Sequence, residues 1–398
     1  MKKITLNTNT CILLCFFFVH TLFAQLPEGS HLLVSDITAQ ISSTSAYKIL
    51  KFDHNGENGE IFTNQQLAWP QDIVIAQIPN EGFRVLVSNL SSGRITKYDL
   101  EGNYVGNFAT GIGGPTRMRI KDNVLYVLQW FNQSVPEYVL RFALDGTPLS
   151  NFTNTGIRLS IGMDWDANDN FYVSSYGQPP FNGNPAIPAQ VYKYNSMGLY
   201  EGIFISELSL SGPTNIWFDT SGNGDLLVID YNDNSIKRFN SNGVLISTIV
   251  SGLSTPEGVA FLSNGNFLVG NGLTGLIKMY DNDGNFIENF IDSTASSQAN
   301  LINPNAFYIM PSTLSISEVN LREETFITPT VGHQFKFNPE IIKPSDKIYI
   351  YNTIGKLIET ITLDNNLEWT PSTYSSGVYF VHMTSNNKKE VQKIVIKN

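Results

Sequence analysis

The sequence predicts an all-β protein: a six-bladed β-propeller followed by a small β-sandwich-like module. Three observations carry that expectation. The composition is rich in turn formers, a unit with strand-like segments recurs every 43 to 53 residues, and this repeat stops before Phe326. Hydrophobic residues make up 42% of the 398 and charged residues only 15%, with 12% aromatics and Gly 31. That balance excludes a disordered chain and a coiled coil. A net charge of −10 argues against nucleic acid or an anionic membrane surface as the main partner.

The first element is a leader. Lys2 and Lys3 precede an apolar run from Ile12 to Phe23 that ends at Ala24. A basic start, a short apolar core and a small residue before Gln25 make residues 1–24 a secretory signal peptide. The run is short for a membrane span, and no later stretch is long and apolar enough to be one. Cys11 and Cys15 both fall inside the leader, so the expected mature chain has no cysteine. An exported protein of this kind must rely on its core and its topology.

Residues 25–311 carry the repeat. Units open at Pro70, Pro115, Ser160, Pro213, Pro256 and Pro304. Their second strands read VLVSN (85–89), LYVLQ (125–129), FYVSS (171–175), LLVID (226–230) and FLVGN (267–271). Their third strands read ITKYD (95–99), VLRFA (139–143), VYKYN (191–195), IKRFN (236–240) and IKMYD (277–281). Four short strands per unit of this length make a propeller blade. LLVSD at 32–36 is a second strand with no first strand before it, and NAFYIM at 305–310 is a first strand with nothing after it. Together they complete a sixth blade, which closes the ring and removes sheet edges. DNDGN at 281–285 has its glycine at the fourth position of a would-be calcium loop, and is expected to be a hairpin turn.

After a polar linker at 312–325, residues 326–398 have a different all-β pattern. KIYIYNTIGKLIETI (347–361) reads as a hairpin, and SSGVYFVHMTS (375–385) with VQKIVIK (391–397) as a second pair. The Y-N-x-x-G-K hairpin at 351–356, S-G-V-Y-F-V at 376–381 and K-I-V-I-K at 393–397 resemble the type A C-terminal sorting domain of proteins exported by the type IX secretion system. The resemblance implies that this machinery is a partner, and that the mature chain is secreted or attached to the outer cell surface.

The repeat units resemble the NHL and gluconolactonase-like six-bladed propellers. In that type, the connections between blades and those between second and third strands open on one face, where ligands bind. The residue two positions after each strand-ending Val or its equivalent would line it: Asp36, Asn89, Gln129, Ser175, Asp230 and Asn271. The other reading is that each caps its own turn, as Asp and Asn often do. The segments PTNIWF (213–218) and PEGVAF (256–261) resemble those that supply metal ligands in gluconolactonase-like enzymes, here as Asn215 and Glu257. Oxygen donors of this kind suit a divalent cation such as calcium.

Other chemistry has little to work with. Of five histidines, His20 lies in the leader and His333 and His382 in the tail, which leaves His31 and His54 for any His-dependent mechanism on the propeller. The Pro/Gly/Asn-rich connection at 177–190 is the least regular part of the repeat. Beside it, Trp130, Phe131, Tyr176, Phe181 and Tyr231 offer aromatic contact area suited to a glycan, a peptide or a small molecule. The expected role is therefore binding outside the cell, with Asp36, Asn89, Gln129, Trp130, Tyr176, Phe181, Asp230 and Asn271 as contacts. The alternative is a metal-dependent lactonase or hydrolase built on Asn215 and Glu257. A purely structural surface protein is a third reading.

Overall fold

The computed structural model describes residues 26–38, 46–131, 137–181, 185–219, 223–312, 326–339, 341–343, 346–352, 357–364, 366–371, 374–385 and 388–397. The expected signal peptide and most of the expected linker lie outside the described residues. The chain divides into two compact units, residues 1–315 and 316–398.

In the first unit, the described residues form six antiparallel sheets with blade order. Pro70–Ile78, Gly82–Asn89, Arg94–Tyr98 and Tyr104–Thr110 make one. The sheets that follow run from Pro115, from Ser160, from Pro213 and from Val259. The sixth is composite: Pro304–Met310 pairs with His31–Asp36, with Leu33 opposite Tyr308, and Lys48–Phe52 and Glu60–Thr63 follow. Burial explains the sequence pattern. Phe171–Ser175, Leu226–Asp230 and Phe267–Asn271 are buried at every position because other blades cover both faces. Such strands read as continuous apolar runs rather than alternating ones. An outer strand such as Leu245–Val250 is exposed along most of its length.

Aromatics fill the gaps between blades. Trp217 is buried among Leu227, Val259, Phe267 and Val269, and Trp165 packs on Tyr126 at 5.1 Å and Phe171 at 4.8 Å. One contact recurs around the ring. The turn between third and fourth strands carries Gly56, Gly102, Gly146, Gly198, Gly243 and Gly284, all at positive φ. A Cβ on each would collide with a backbone carbonyl of the preceding blade: that of Phe290, Phe62, Phe108, Phe152, Phe204 and Ile249 in turn. Gly56 of the composite blade thus meets Phe290 of the last sheet, so the order of contacts is circular. The D-x-x-G pattern also has a cause. Asp53, Asp99, Asp145, Asn195, Asn240 and Asp281 each accept backbone N–H groups of their own turn. DNDGN is accordingly a hairpin turn.

One local expectation is corrected, and one element is added to those the sequence marks. The sheet from Pro115 has three strands, and its outermost position is a single bridge between Phe142 and Pro148. Proline has no N–H for a ladder, and past it the segment is held to the third strand by separate bonds, the Leu149 N–H to the Arg141 carbonyl at 2.9 Å and the Phe152 N–H to that of Val139 at 2.8 Å. A short helix, Ser293–Ala299, precedes the closing strand, with Asp292 accepting from the Thr294 and Ala295 N–H groups. Its capping signal sits in a polar stretch that lacks apolar periodicity.

The second unit packs a three-stranded sheet and a five-stranded sheet around one core. Phe335, Phe337, Ile348, Ile350, Val381 and Ile394 are fully buried in it. Trp369 lies 5.5 Å from Phe335, and both expected strand pairs are present, Lys347–Asn352 with Leu357–Thr362 and Gly377–Ser385 with Lys388–Ile396.

Two measurements test these devices. Gly243→Ala should destabilise the protein by at least about 1–3 kcal/mol, since a left-handed conformation and a clash are combined. Gly252→Ala, at positive φ but with open space around it, should lower the urea midpoint less. The second concerns pH. At Asp53 and Asp281, partial burial works to raise the carboxyl pKa, but the turn hydrogen bonds outweigh it and both lie below the usual value; the Thr147 N–H does the same for Asp145. A depressed folded pKa gives stability that is present above the unfolded value, about 4, and lost as pH falls through the folded one. The urea midpoint should fall in that acid range. Asp53→Asn/Asp145→Asn/Asp281→Asn, which keeps the Oδ1 acceptors, should flatten the decline.

Candidate functional site

The first strands converge on the axis, and most of them start irregularly. Pairing register shifts between Pro70 and Asp72, Pro115 and Met118, Ser160 and Gly162, and Pro213 and Ile216. Such bulges re-aim side chains that a regular strand would bury between sheets. Arg117, Asn215 and Asn305 lie within such shifts and Glu257 just before Val259–Phe261; the four come together from four different blades and are at most 8% exposed.

Arg117 is the centre of this group. Its Nη2 donates to Glu257 Oε1 at 2.8 Å and its Nε to Asn215 Oδ1 at 3.2 Å. The Asn215 Nδ2 donates to the Glu257 carbonyl at 2.6 Å. With its amide nitrogen turned to the carboxylate, as the network requires, Asn305 donates to Glu257 Oε2 at 2.6 Å. Burial raises the Glu257 pKa, Arg117 works against that, and the negative charge of Asp72 adds to it. Asp72 itself accepts from the Met118 N–H at 2.7 Å and lies 3.4 Å from Arg119.

This arrangement decides how a divalent cation would fit. Asn215 and Glu257 do come together, as the resemblance implies, but they converge on a guanidinium. The Asn215 oxygen and one Glu257 oxygen already accept from Arg117, whose positive charge would repel a metal ion. Among the described residues, no group of three or more His, Cys, Asp or Glu side chains could hold one. The residues present do not fit the cation. Arg117 was not singled out from sequence. Its one signal is a charged residue two positions after a unit's proline, in register with Asp72 and Asn215.

The polar ring is turned inward. Asp36, Asn89, Gln129, Ser175, Asp230 and Asn271 are at most 5% exposed. Each grips the residue two positions before its own unit's opening. Ala68 N–H donates to Asn89 at 2.8 Å, Gly113 to Gln129 at 3.0 Å, Ser211 to Asp230 at 3.0 Å, Ser254 to Asn271 at 2.7 Å and Ile302 to Asp36 at 3.4 Å. Ser175 reverses the direction and donates to the Arg158 carbonyl at 2.9 Å. Lys237 also donates to Asp230 at 2.8 Å. These side chains fasten the connections between blades.

The aromatic residues are placed differently. Trp130 and Tyr176 have ring centroids 5.6 Å apart, and Tyr176 and Tyr231 5.9 Å. The Tyr176 hydroxyl donates to Asn232 Oδ1 at 3.0 Å. Burial raises the pKa of both tyrosines and the charge of Glu257 adds to the effect, so this arc lies within electrostatic reach of the axial cluster. Beside it, Arg158 sits 5.4 Å over the Phe131 ring, and Phe181 is 59% exposed.

A cavity of about 360 Å³ extends along the first strands away from the unit openings, between Arg117 and Asn215 at one end and Ile120 and Phe261 at the other.

Residues 332–397 match the family model described as a secretion system C-terminal sorting domain. The C-terminal module is a sorting tail. It is the type that directs export through the type IX secretion system, and it points to secretion and attachment at the cell surface. No helix among the described residues is long and apolar enough to cross a membrane. Among solved structures, a chain of a nidogen–laminin complex is similar to this protein with a TM-score of 0.53 and 15% identity, covering 71% of this chain and 99% of that one. A protein of unknown function from Bacteroides caccae gives 0.50 and 16%, covering 71% and 98%. A protein described as a gluconolactonase gives 0.47 and 13%, covering 62% and 87%. These likenesses are to the propeller fold. No curated protein sequence matches the chain.

The axial pair has a testable signature. Arg117→Met leaves the Glu257 carboxylate buried without its partner and should cost about 3–5 kcal/mol. Arg117→Met/Glu257→Gln should recover much of that loss in urea unfolding, because the buried charge goes with its partner.

Proposed function

We propose that this protein is a binding propeller, exported by the type IX route and acting outside the cell or on its surface. One observation carries the reading: the Arg117 guanidinium occupies the place between Asn215 and Glu257 that a hydrolytic metal ion would need. The ion pair gives the axis a fixed, charge-balanced plug in place of a Lewis acid. Recognition then falls to the aromatic arc of Trp130, Tyr176 and Tyr231 and to the 177–190 connection with Phe181. Flat aromatic faces with a polar hydroxyl suit the mixed surfaces of a glycan or a peptide. The buried ring of Asp36, Asn89, Gln129, Asp230 and Asn271 supports this face by holding its loops.

The first test is thermal melting with EDTA and then with calcium, magnesium, manganese or zinc. A bound ion stabilises the native state by mass action, so the binding reading expects no ion to move the midpoint appreciably. A rise of several degrees with one ion, lost in Glu257→Ala, would restore the lactonase alternative. On glycan and peptide arrays, Trp130→Ala and Tyr176→Ala should each weaken a positive signal about tenfold or more, in line with anchor residues at an interface. Deletion of residues 326–398 should leave the protein inside the cell envelope, as read by fractionation.

A further inference from the structure

A second cavity, of about 330 Å³, lies beside the axial one and shares Arg119 and Phe261 with it. Its wall is mostly apolar, with Trp217, Phe218, Phe261 and Phe267 as the aromatic part. Phe261 is 44% exposed and marks the open side. Two charged side chains line the same space: Arg119 and Asp164, from the later parts of Pro115–Lys121 and Ser160–Trp165. The remaining polar lining residue, Asn282, gives its Nδ2 to Asp219, and Asp219 in turn accepts from Arg238.

Arg119 and Asp164 have opposite charges and are not paired with each other. Arg119 is engaged through Nη1 alone, which donates to the Met118 carbonyl at 3.0 Å and lies 3.4 Å from Asp72 Oδ2. Its side chain is 34% exposed, and Nε and Nη2 have no hydrogen-bond partner among the described residues. Those two donors form the edge of a guanidinium that matches a carboxylate with two parallel bonds. Asp164 is in the converse state. Its Oδ2 accepts from the Phe218 N–H at 2.8 Å, but among the described residues no basic side chain forms an ion pair with it. Burial raises its pKa, and the Phe218 and Trp165 N–H groups and the more distant charge of Arg119 offset this only in part. A carboxylate held against aromatic rings without a cation is costly.

A ligand with a single charge would satisfy one of these two groups and face the other unfavourably. A zwitterion satisfies both and brings no net charge into the space. We propose that this cavity binds a free α-amino acid with an apolar side chain. Its carboxylate meets Nε and Nη2 of Arg119, its ammonium meets Asp164, and its side chain lies along Trp217 and Phe261. The volume is within the range of small-molecule sites.

The test is isothermal titration of the purified full chain at neutral pH with L-phenylalanine, 2-phenylethylamine, which lacks the carboxylate, and 3-phenylpropionate, which lacks the ammonium. Phenylalanine should bind at least about tenfold more tightly than either, the worth of one charge-assisted bond. Asp164→Asn, which keeps an oxygen for the Phe218 N–H, should erase the advantage over 3-phenylpropionate, and Arg119→Met that over 2-phenylethylamine. Phe261→Ala, which leaves both charges in place, should weaken all three ligands. Asp164→Asn and Phe261→Ala keep the contact of Arg119 with Asp72, so the test stands even if Arg119→Met fails to fold. Tightest binding of the amine or of the propionate would overturn the proposal, as would equal affinity for the three. So would phenylalanine binding unchanged in Asp164→Asn, or no binding at millimolar ligand.

Discussion

The pairing of Pro304–Met310 with His31–Asp36 joins two segments about 270 residues apart, and the circular order of blades exists only because of it. Without that pairing, two sheet edges would face solvent and every inter-blade contact would belong to an open array. Loop-closure entropy grows only slowly with length, by about 0.6 kcal/mol per doubling, so a long closure is not prohibitive. Six residues of the closing strand are paired, five of them with buried partners, and that exchange of apolar surface and ladder hydrogen bonds does the work a disulfide would do elsewhere. The six turn glycines then transmit closeness from blade to blade, since each tolerates no side chain between its turn and the neighbouring carbonyl.

The axis is where such a ring has the least freedom and the most functional options. Six strand ends meet there, and any polar side chain among them must find a partner on another blade. Here the solution is an arginine from the unit that opens at Pro115, bonded to the units that open at Pro213, Pro256 and Pro304. One side chain thereby couples four blades, with the Asn215 and Glu257 side-chain oxygens accepting from its guanidinium. The fold supplies the convergence and the residues supply the chemistry.

Much of this was legible in the sequence, and the failures have physical causes. Strand segments such as LLVID and FLVGN stand out because burial on both faces forces continuous apolar runs. Closure was legible from one orphan strand at each end of the array. For the polar ring, sequence alone leaves open whether Asn89 or Asp230 faces a ligand or its own loop, since both uses favour the same residue types. Arg117 was passed over because its partners lie 98 and 140 residues away and its register shift is a property of pairing. The helix at Ser293–Ala299 escaped because a cap and two turns of small polar residues carry no periodic signal.

The position of the closing strand also orders events in time. The sorting tail follows it in the chain, so the segment that completes the ring leaves the ribosome before the segment that grants passage out of the envelope. A chain interrupted anywhere earlier lacks both. Every molecule that bears the export address therefore also bears the means to finish its own ring, and the order of segments screens truncated chains from export without a separate inspection step.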